Sequence, residues 1–72
     1  MIKAITFKDR TVPVHYPAGH ASCLDLLQDK LLEMELNFDF RKKWKRISSV
    51  ELMRDVAILQ YNDGSKLYME VS

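Results

Sequence analysis

The sequence VAILQYNDGSKLYMEV, residues 56–71, contains the clearest structural signal in the chain. Its Asp63-Gly64 dipeptide supplies the positive φ angles of a type I′ turn, and apolar residues lie on both sides of it. A two-residue turn at this point predicts an antiparallel hairpin. The expected register pairs Ile58 with Met69 and Val56 with Val71 on one face, and Leu59 with Tyr68 on the other.

A further strand is predicted just before this hairpin, from about Ile47 to Leu52. It can join the hairpin across Arg54-Asp55, because a short polar connection suits neighbouring antiparallel strands. The C-terminal third of the chain is therefore expected to form a three-stranded antiparallel meander.

The N-terminal segment IKAITFKDRTVPVHY, residues 2–16, predicts a second hairpin of two short strands. A turn at Asp9-Arg10 would place its apolar residues opposite one another. Pro13 has no N–H for a ladder hydrogen bond, which places the second strand at a sheet edge. The expected pairs are Phe7 with Val12 and Ile5 with Val14.

One helix is predicted to begin at Ser22, where SCLD resembles a capping box in which Ser22 accepts from the N–H of Asp25. The residues that follow have the spacing of a single apolar helix stripe. This stripe consists of Leu24, Leu27, Leu31, Met34 and Phe38.

The end of this helix is ambiguous in the sequence. From Met34 the apolar and polar residues alternate, which is the period of a strand. This favours a break near Asn37, followed by an extended or irregular FDFRKKW. The alternative is a continuous helix to about Lys45, with Leu32, Leu36, Phe40 and Trp44 as a second apolar ridge.

These elements predict an α+β fold with an N-terminal β-hairpin, one central α-helix and a C-terminal three-stranded antiparallel meander. Residues 1–72 are expected to form a single small domain, with 47% hydrophobic and 29% charged residues. The single cysteine excludes an internal disulfide. No signal-peptide pattern and no membrane-length apolar run is visible, so a reducing cytoplasm is the expected location.

The most distinctive surface is predicted from FDFRKKWKRISS, residues 38–49. Five of the eleven basic residues lie between positions 41 and 46, which leaves six basic against ten acidic residues elsewhere. A basic patch on an otherwise acidic body indicates an anionic partner, either nucleic acid or an acidic protein surface. The competing interpretation is a solvated face with Trp44 in the core beneath lysine stems. The predicted binding residues are Phe40, Arg41, Lys42, Lys43, Trp44, Lys45 and Arg46.

Metal binding and catalysis are both disfavoured by the sequence. His15, His20 and Cys23 have ligand chemistry, but no further cysteine or histidine completes a structural zinc set. Cys23 at a helix start near His20 could be a nucleophile, although a small buried residue is the simpler interpretation. We therefore expect no metal, no cofactor, no catalytic residue and no enzymatic activity.

The function expected from these observations is that of a small non-enzymatic binding or regulatory module, docking nucleic acid or a nucleic-acid-binding machine. The alternative is a protein–protein inhibitor or adaptor, of the kind that phages and mobile elements encode. It would act through an aromatic face of Phe38, Phe40, Trp44 and Tyr68. Surplus apolar residues also suggest a self-interface, and hence a homodimer, or a partner site. These residues are Leu36, Phe40, Leu59 and Tyr68.

Overall fold

The computed structural model describes residues 1–71, in which five strands form one sheet in the order in which they occur along the chain. Two helices lie between the second and third strands. The elements are β1 (Ile2–Phe7), β2 (Arg10–His15), α1 (Ser22–Glu33), α2 (Phe38–Trp44), β3 (Ile47–Met53), β4 (Val56–Tyr61) and β5 (Lys66–Glu70).

The α+β class is confirmed, but the predicted arrangement is incomplete in two respects. The N-terminal hairpin is not a separate layer, because β2 pairs in parallel with β3 and joins the meander into one sheet. Parallel neighbours need a long crossover, and residues 16–46 supply it with two helices instead of one. Pro13 does not mark an edge strand. The parallel pairing begins just beyond it, at Val14 and Val50.

The first hairpin turns one residue earlier than expected. Lys8 and Asp9 have φ angles of 52° and 64°, and positive φ at both central residues is the signature of a type I′ turn. The register therefore pairs Ile5 with Val12. The predicted register differs by two residues, which leaves every side chain on the same face. The hydrophobic pattern consequently could not distinguish the two registers.

The C-terminal hairpin has its tip at Asp63 and Gly64, as expected, but its loop contains three residues. The Tyr61 N–H donates to the Ser65 carbonyl at 2.8 Å, and the Gly64 N–H donates to the Tyr61 carbonyl at 3.1 Å. Gly64 has a φ angle of +93°. The loop is therefore a turn followed by a residue in the left-handed conformation, which is a common form of three-residue hairpin loop. The extra residue shifts the predicted register by one, so Ile58 faces Tyr68 and Ala57 faces Met69.

Replacing Gly64 with valine is expected to lower the free energy of unfolding by about 1–3 kcal/mol, because a β-branched residue resists positive φ. No atom lies within 4 Å of the position of an added Cβ, so the cost is conformational rather than steric. Urea unfolding measures it. Gly64→Asn is the matched control and should lose less, since asparagine tolerates this conformation. Equal stability of the valine variant and the parent would contradict the turn assignment.

The helix start at Ser22 is confirmed, whereas the predicted capping box is wrong. Ala21 is the N-cap residue and has helical dihedral angles, and no side chain caps the helix. A preceding turn replaces the capping box, with the Cys23 and Leu24 N–H groups bonded to the His20 and Ala21 carbonyls. Cys23, Leu24, Leu27 and Leu31 form the buried face of α1.

The predicted break near Asn37 is confirmed, but FDFRKKW is helical. Asn37 has extended dihedral angles, and its side-chain oxygen accepts from the Phe40 N–H at 3.0 Å, which begins a new helix. Phe40 and Trp44 are one helical turn apart and face the core, while Phe38 points to solvent. The predicted stripe therefore ends before Phe38.

The two faces of the sheet differ in their surroundings. One face packs with both helices in a single core, which includes Leu59 and the other buried residues of β1 to β4. Over residues 1–71 the other face has no covering element, and Tyr68 and Met53 are exposed on it. Within the same residues, no helix is long and apolar enough to cross a membrane.

Candidate functional site

Trp44 anchors the second helix to the sheet. Only 1% of its surface is exposed, and its indole Nε1 donates to the Phe7 carbonyl at 3.0 Å. Its ring packs edge-on against the Phe7 ring, with centroids 5.4 Å apart. The Arg10 guanidinium donates to the Trp44 carbonyl at 2.6 Å, so α2 is held by both strands of the first hairpin.

The predicted role of Phe40 and Trp44 as partner-contacting residues is therefore corrected. Phe40 is also buried, and its ring lies 6.0 Å from that of Phe7 and 6.2 Å from that of Trp44. Both aromatic side chains lie where α2 meets the sheet. Burying them in this core is more favourable in free energy than leaving them exposed to solvent. They pack between the sheet and the basic segment, residues 41–46, and cannot contact a partner bound on the surface of that segment.

The five cationic residues of this segment all remain on the surface: Arg41, Lys42, Lys43, Lys45 and Arg46. Three of them belong to α2, Lys45 is its C-cap residue and Arg46 follows it, whereas Phe40 and Trp44 face the core. The two ion pairs found among residues 1–71 involve other lysines, so these five charges have no carboxylate within 4.0 Å. Their binding role stays a prediction.

Four of these cations line a broad groove between α2 and the β4–β5 loop. The groove has a volume of about 890 Å³ and is bordered by Lys42, Lys43, Lys45 and Arg46 on the helix side. Tyr61, Asn62, Asp63 and Ser65 form the opposite wall, and Asp39 of α2 also lines the groove. The Asn62 N–H donates to the Arg46 carbonyl at 2.9 Å, which fixes the two walls relative to each other.

Asp63 contributes a negative charge to this groove, although its carboxylate is already engaged. The Ser65 hydroxyl donates to Asp63 Oδ1 at 2.6 Å and, as the main cause, holds the pKa of this carboxyl below its ordinary value of 3.8. The Ser65 backbone N–H, at 2.9 Å, lowers the pKa further, and the Arg46 charge contributes less. The ionised carboxylate therefore stabilises the loop at pH values above the ordinary pKa of 3.8. This stabilisation is lost as the pH falls through the lowered pKa.

Phe38, Arg41 and Lys42 form an exposed cluster that adjoins the groove, since Lys42 belongs to both. Lys42 Nζ lies 5.0 Å and Arg41 Cζ 5.9 Å from the centre of the Phe38 ring, within the range of cation–π contacts. The predicted aromatic face does not form as a unit, because Phe38 and Tyr68 are exposed while Phe40 and Trp44 are buried. Of the surplus apolar residues, Leu36 and Tyr68 are exposed, and Phe40 and Leu59 belong to the core.

The three residues considered for metal or thiol chemistry lie in different settings. Cys23 is buried in the core, His15 is on the open face of the sheet, and His20 is in the loop before α1. Between residues 1 and 71, no group of three or more His, Cys, Asp or Glu side chains is placed to hold a metal ion. The expected lack of metal and of thiol-dependent activity remains a prediction.

Sequence reasoning missed one wall of the groove and one of its supports. The wall residues Tyr61, Asn62 and Ser65 appeared only as parts of a hairpin, because nothing local indicates that the β4–β5 loop lies beside α2. Arg10 was assigned to a turn, and no spacing in the sequence links it to Trp44, 34 residues later.

No family model, no curated protein and no solved structure matches the chain. The charge, shape and rigid support of the groove are therefore the observations from which its function is inferred. It presents four cations against two carboxylates, Asp39 and Asp63, on a base fixed by buried aromatic residues.

Proposed function

We propose that this chain is a small non-enzymatic binding module, which docks the phosphate backbone of nucleic acid in the groove between α2 and the β4–β5 loop. The observation that carries the proposal is the convergence of Lys42, Lys43, Lys45 and Arg46 on one groove. Phosphate oxygens are ligands for both lysine and arginine, and neutralising them releases condensed counterions.

The lack of close ion pairs supports an external anion as the partner, since no carboxylate among residues 1–71 lies within 4.0 Å of these cations. Like charges on adjacent side chains repel one another, and burial offers them no compensation. Asp63 is the nearest acidic residue on the opposite wall, and its carboxylate is already bonded to Ser65. An anion entering the groove would therefore lower the electrostatic energy of the folded protein.

The position of the aromatic residues favours contacts with phosphates over contacts with bases. Trp44 and Phe40 are buried and cannot stack on a base, and the exposed Phe38 already makes cation–π contacts with Arg41 and Lys42. Tyr61 is the aromatic residue that lines the groove. Since base contacts provide sequence readout, we expect binding with little sequence preference.

The alternative function, an inhibitor or adaptor with an aromatic docking face, has weaker support. Two of the four residues of that face, Phe40 and Trp44, are needed in the core. An acidic protein surface could still use the cations of the groove. Comparing the binding of DNA with that of polyglutamate separates this partner from nucleic acid.

The affinity of the chain for mixed-sequence oligonucleotides is expected to fall steeply with salt. If three or four phosphates are neutralised on duplex DNA, the association constant drops about 40- to 150-fold between about 50 and 200 mM salt. Fluorescence anisotropy with labelled single-stranded and duplex DNA measures the slope. A polyglutamate of equal charge is the control, since it carries carboxylates and no phosphates.

Each result of this titration has a definite meaning. A steep slope with DNA, together with weaker binding of polyglutamate, supports the phosphate groove. Tighter binding of polyglutamate than of DNA would instead identify an acidic protein as the partner. A slope near zero, or no binding at low salt, would contradict the proposal.

A further inference from the structure

The last strand, β5, forms an open edge of the sheet. It pairs with β4 alone, and Lys66–Glu70 contains no proline or glycine. Its residues on the core side, Leu67 and Met69, are apolar rather than charged. The opposite edge, β1, is different, because α1 approaches it and contributes Leu31 and Leu32 to a shared cavity. An open edge strand presents unpaired N–H and C=O groups with which a second strand can pair.

The hydrogen-bond pattern determines which backbone groups of β5 point outward. At one end the Tyr61 N–H bonds to the Ser65 carbonyl, and at the other the Val71 N–H bonds to the Asp55 carbonyl, each at 2.8 Å. Antiparallel ladders alternate between bonded and non-bonded pairs, so odd-numbered residues of β5 bond to β4. The N–H and C=O groups of the even-numbered residues therefore face away from the sheet. These residues are Lys66, Tyr68 and Glu70.

The side chains of β5 are complementary to themselves in one antiparallel register. A second copy centred on Tyr68 would place Tyr68 opposite Tyr68, Leu67 opposite Met69, and Lys66 opposite Glu70. Every outward backbone group would then meet an outward group of the other copy, as ladder pairing requires. Shifting one copy by two residues in either direction would separate Lys66 from Glu70 and lose the charge match.

We propose that two copies of this chain associate through β5, in antiparallel register about Tyr68, to form one continuous ten-stranded sheet. The aromatic pair at the centre is flanked by two Lys66–Glu70 ion pairs, and such cross-strand pairs stabilise a sheet. Tyr68, now 66% exposed, would lose solvent contact, as would the half-buried Leu67 and Met69. A small interface of this kind gives a dissociation constant in the micromolar range or weaker.

This inference does not depend on the groove or on its partner. None of the residues from 66 to 70 lines the groove, so both grooves of the dimer stay open. Lys66 and Glu70 are exposed, and their neighbours on β4 are the uncharged Gln60 and Val56. Changing either charge should therefore alter the dimer while leaving the monomer fold intact.

Sedimentation equilibrium from low micromolar to millimolar protein, without nucleic acid, tests the dimer by charge reversal. Lys66→Glu or Glu70→Lys alone places like charges opposite each other at both symmetric positions, and each should weaken the dimer about tenfold. Combining the two substitutions in one chain restores the ion pairs and should restore the dimer. Mixing the two single variants should give a heterodimer tighter than either homodimer.

Amide hydrogen exchange provides an independent measurement of the interface. Exchange at Lys66, Tyr68 and Glu70 should slow as the concentration rises through the dimer range, whereas these amides exchange quickly in the monomer. Protection of these three amides together with rescue by the double variant supports the proposal. A monomer at every concentration would overturn it. So would a dimer in which these amides stay unprotected, which would indicate contact through the open sheet face.

Discussion

The Trp44→Ala variant is expected to be largely unfolded at room temperature, with a loss of about 3–5 kcal/mol in the free energy of unfolding. Trp44 is among the largest fully buried side chains of the described residues, and its removal leaves a cavity between α2 and the first hairpin. The Phe7 carbonyl would also lose the indole donor that it accepts from. Such a loss is comparable to the whole stability of a domain of this size.

Urea unfolding followed by circular dichroism measures this loss. Trp44→Phe is the matched control, since it keeps an aromatic ring and removes only the indole donor and part of the volume, and it should fall between the parent and the alanine variant. Leu36→Ala serves as a surface control, because Leu36 is 92% exposed and should change stability by less than about 0.5 kcal/mol. A Trp44→Ala variant as stable as the parent would contradict the anchoring role.

Changing Lys42, Lys43 and Lys45 together to glutamate is expected to abolish binding to nucleic acid. Three attractive charges in the groove become repulsive. The affinity at low salt should therefore fall at least about 100-fold, and most of the salt dependence of binding should disappear. The melting temperature should change little. These side chains are exposed and have no carboxylate partners among the ion pairs of residues 1–71.

A control variant distinguishes the groove from the net charge. Lys3, Lys8 and Arg54 are exposed residues outside the groove, and changing all three to glutamate alters the net charge by the same amount. This variant should retain most of the affinity, and it loses only the exposed ion pair of Lys8 with Glu35. Equal losses in the two variants would attribute binding to overall charge. Unchanged binding by the groove variant would make residues 41–46 an ordinary solvated edge.

The sequence predicted the existence of most elements because their signals are local. The Asp63-Gly64 dipeptide identified a hairpin tip, at which Gly64 has a positive φ, and Asn37 coincided with the break between helices. The register of the same hairpin was wrong by one residue. Asp63 binds the backbone and hydroxyl of Ser65, which extends the loop to three residues, and one extra residue reverses the faces of a strand.

The features that could not be predicted depend on contacts between distant residues. Nothing near Val14 indicates that it will pair with Val50. The position of Trp44 was also undetermined, because tryptophan suits either a core or a binding surface, and the carbonyl of Phe7 that accepts its N–H is 37 residues away. The charges of the basic patch were predicted directly, whereas the groove that collects them requires the β4–β5 loop to lie beside α2.

The parallel pairing of β2 and β3 also has a consequence for the order in which the chain folds. The three antiparallel pairs of the sheet, β1–β2, β3–β4 and β4–β5, each join neighbouring segments, and hairpins of this kind form within microseconds. The pairing of Val14 with Val50 instead requires residues 16–46 to close into a crossover first, which costs entropy before any contact compensates for it. The Trp44–Phe7 and Arg10–Trp44 hydrogen bonds span the same closure. We therefore expect the slow step of folding to be the joining of the β1–β2 hairpin to the β3–β5 meander across the helical crossover.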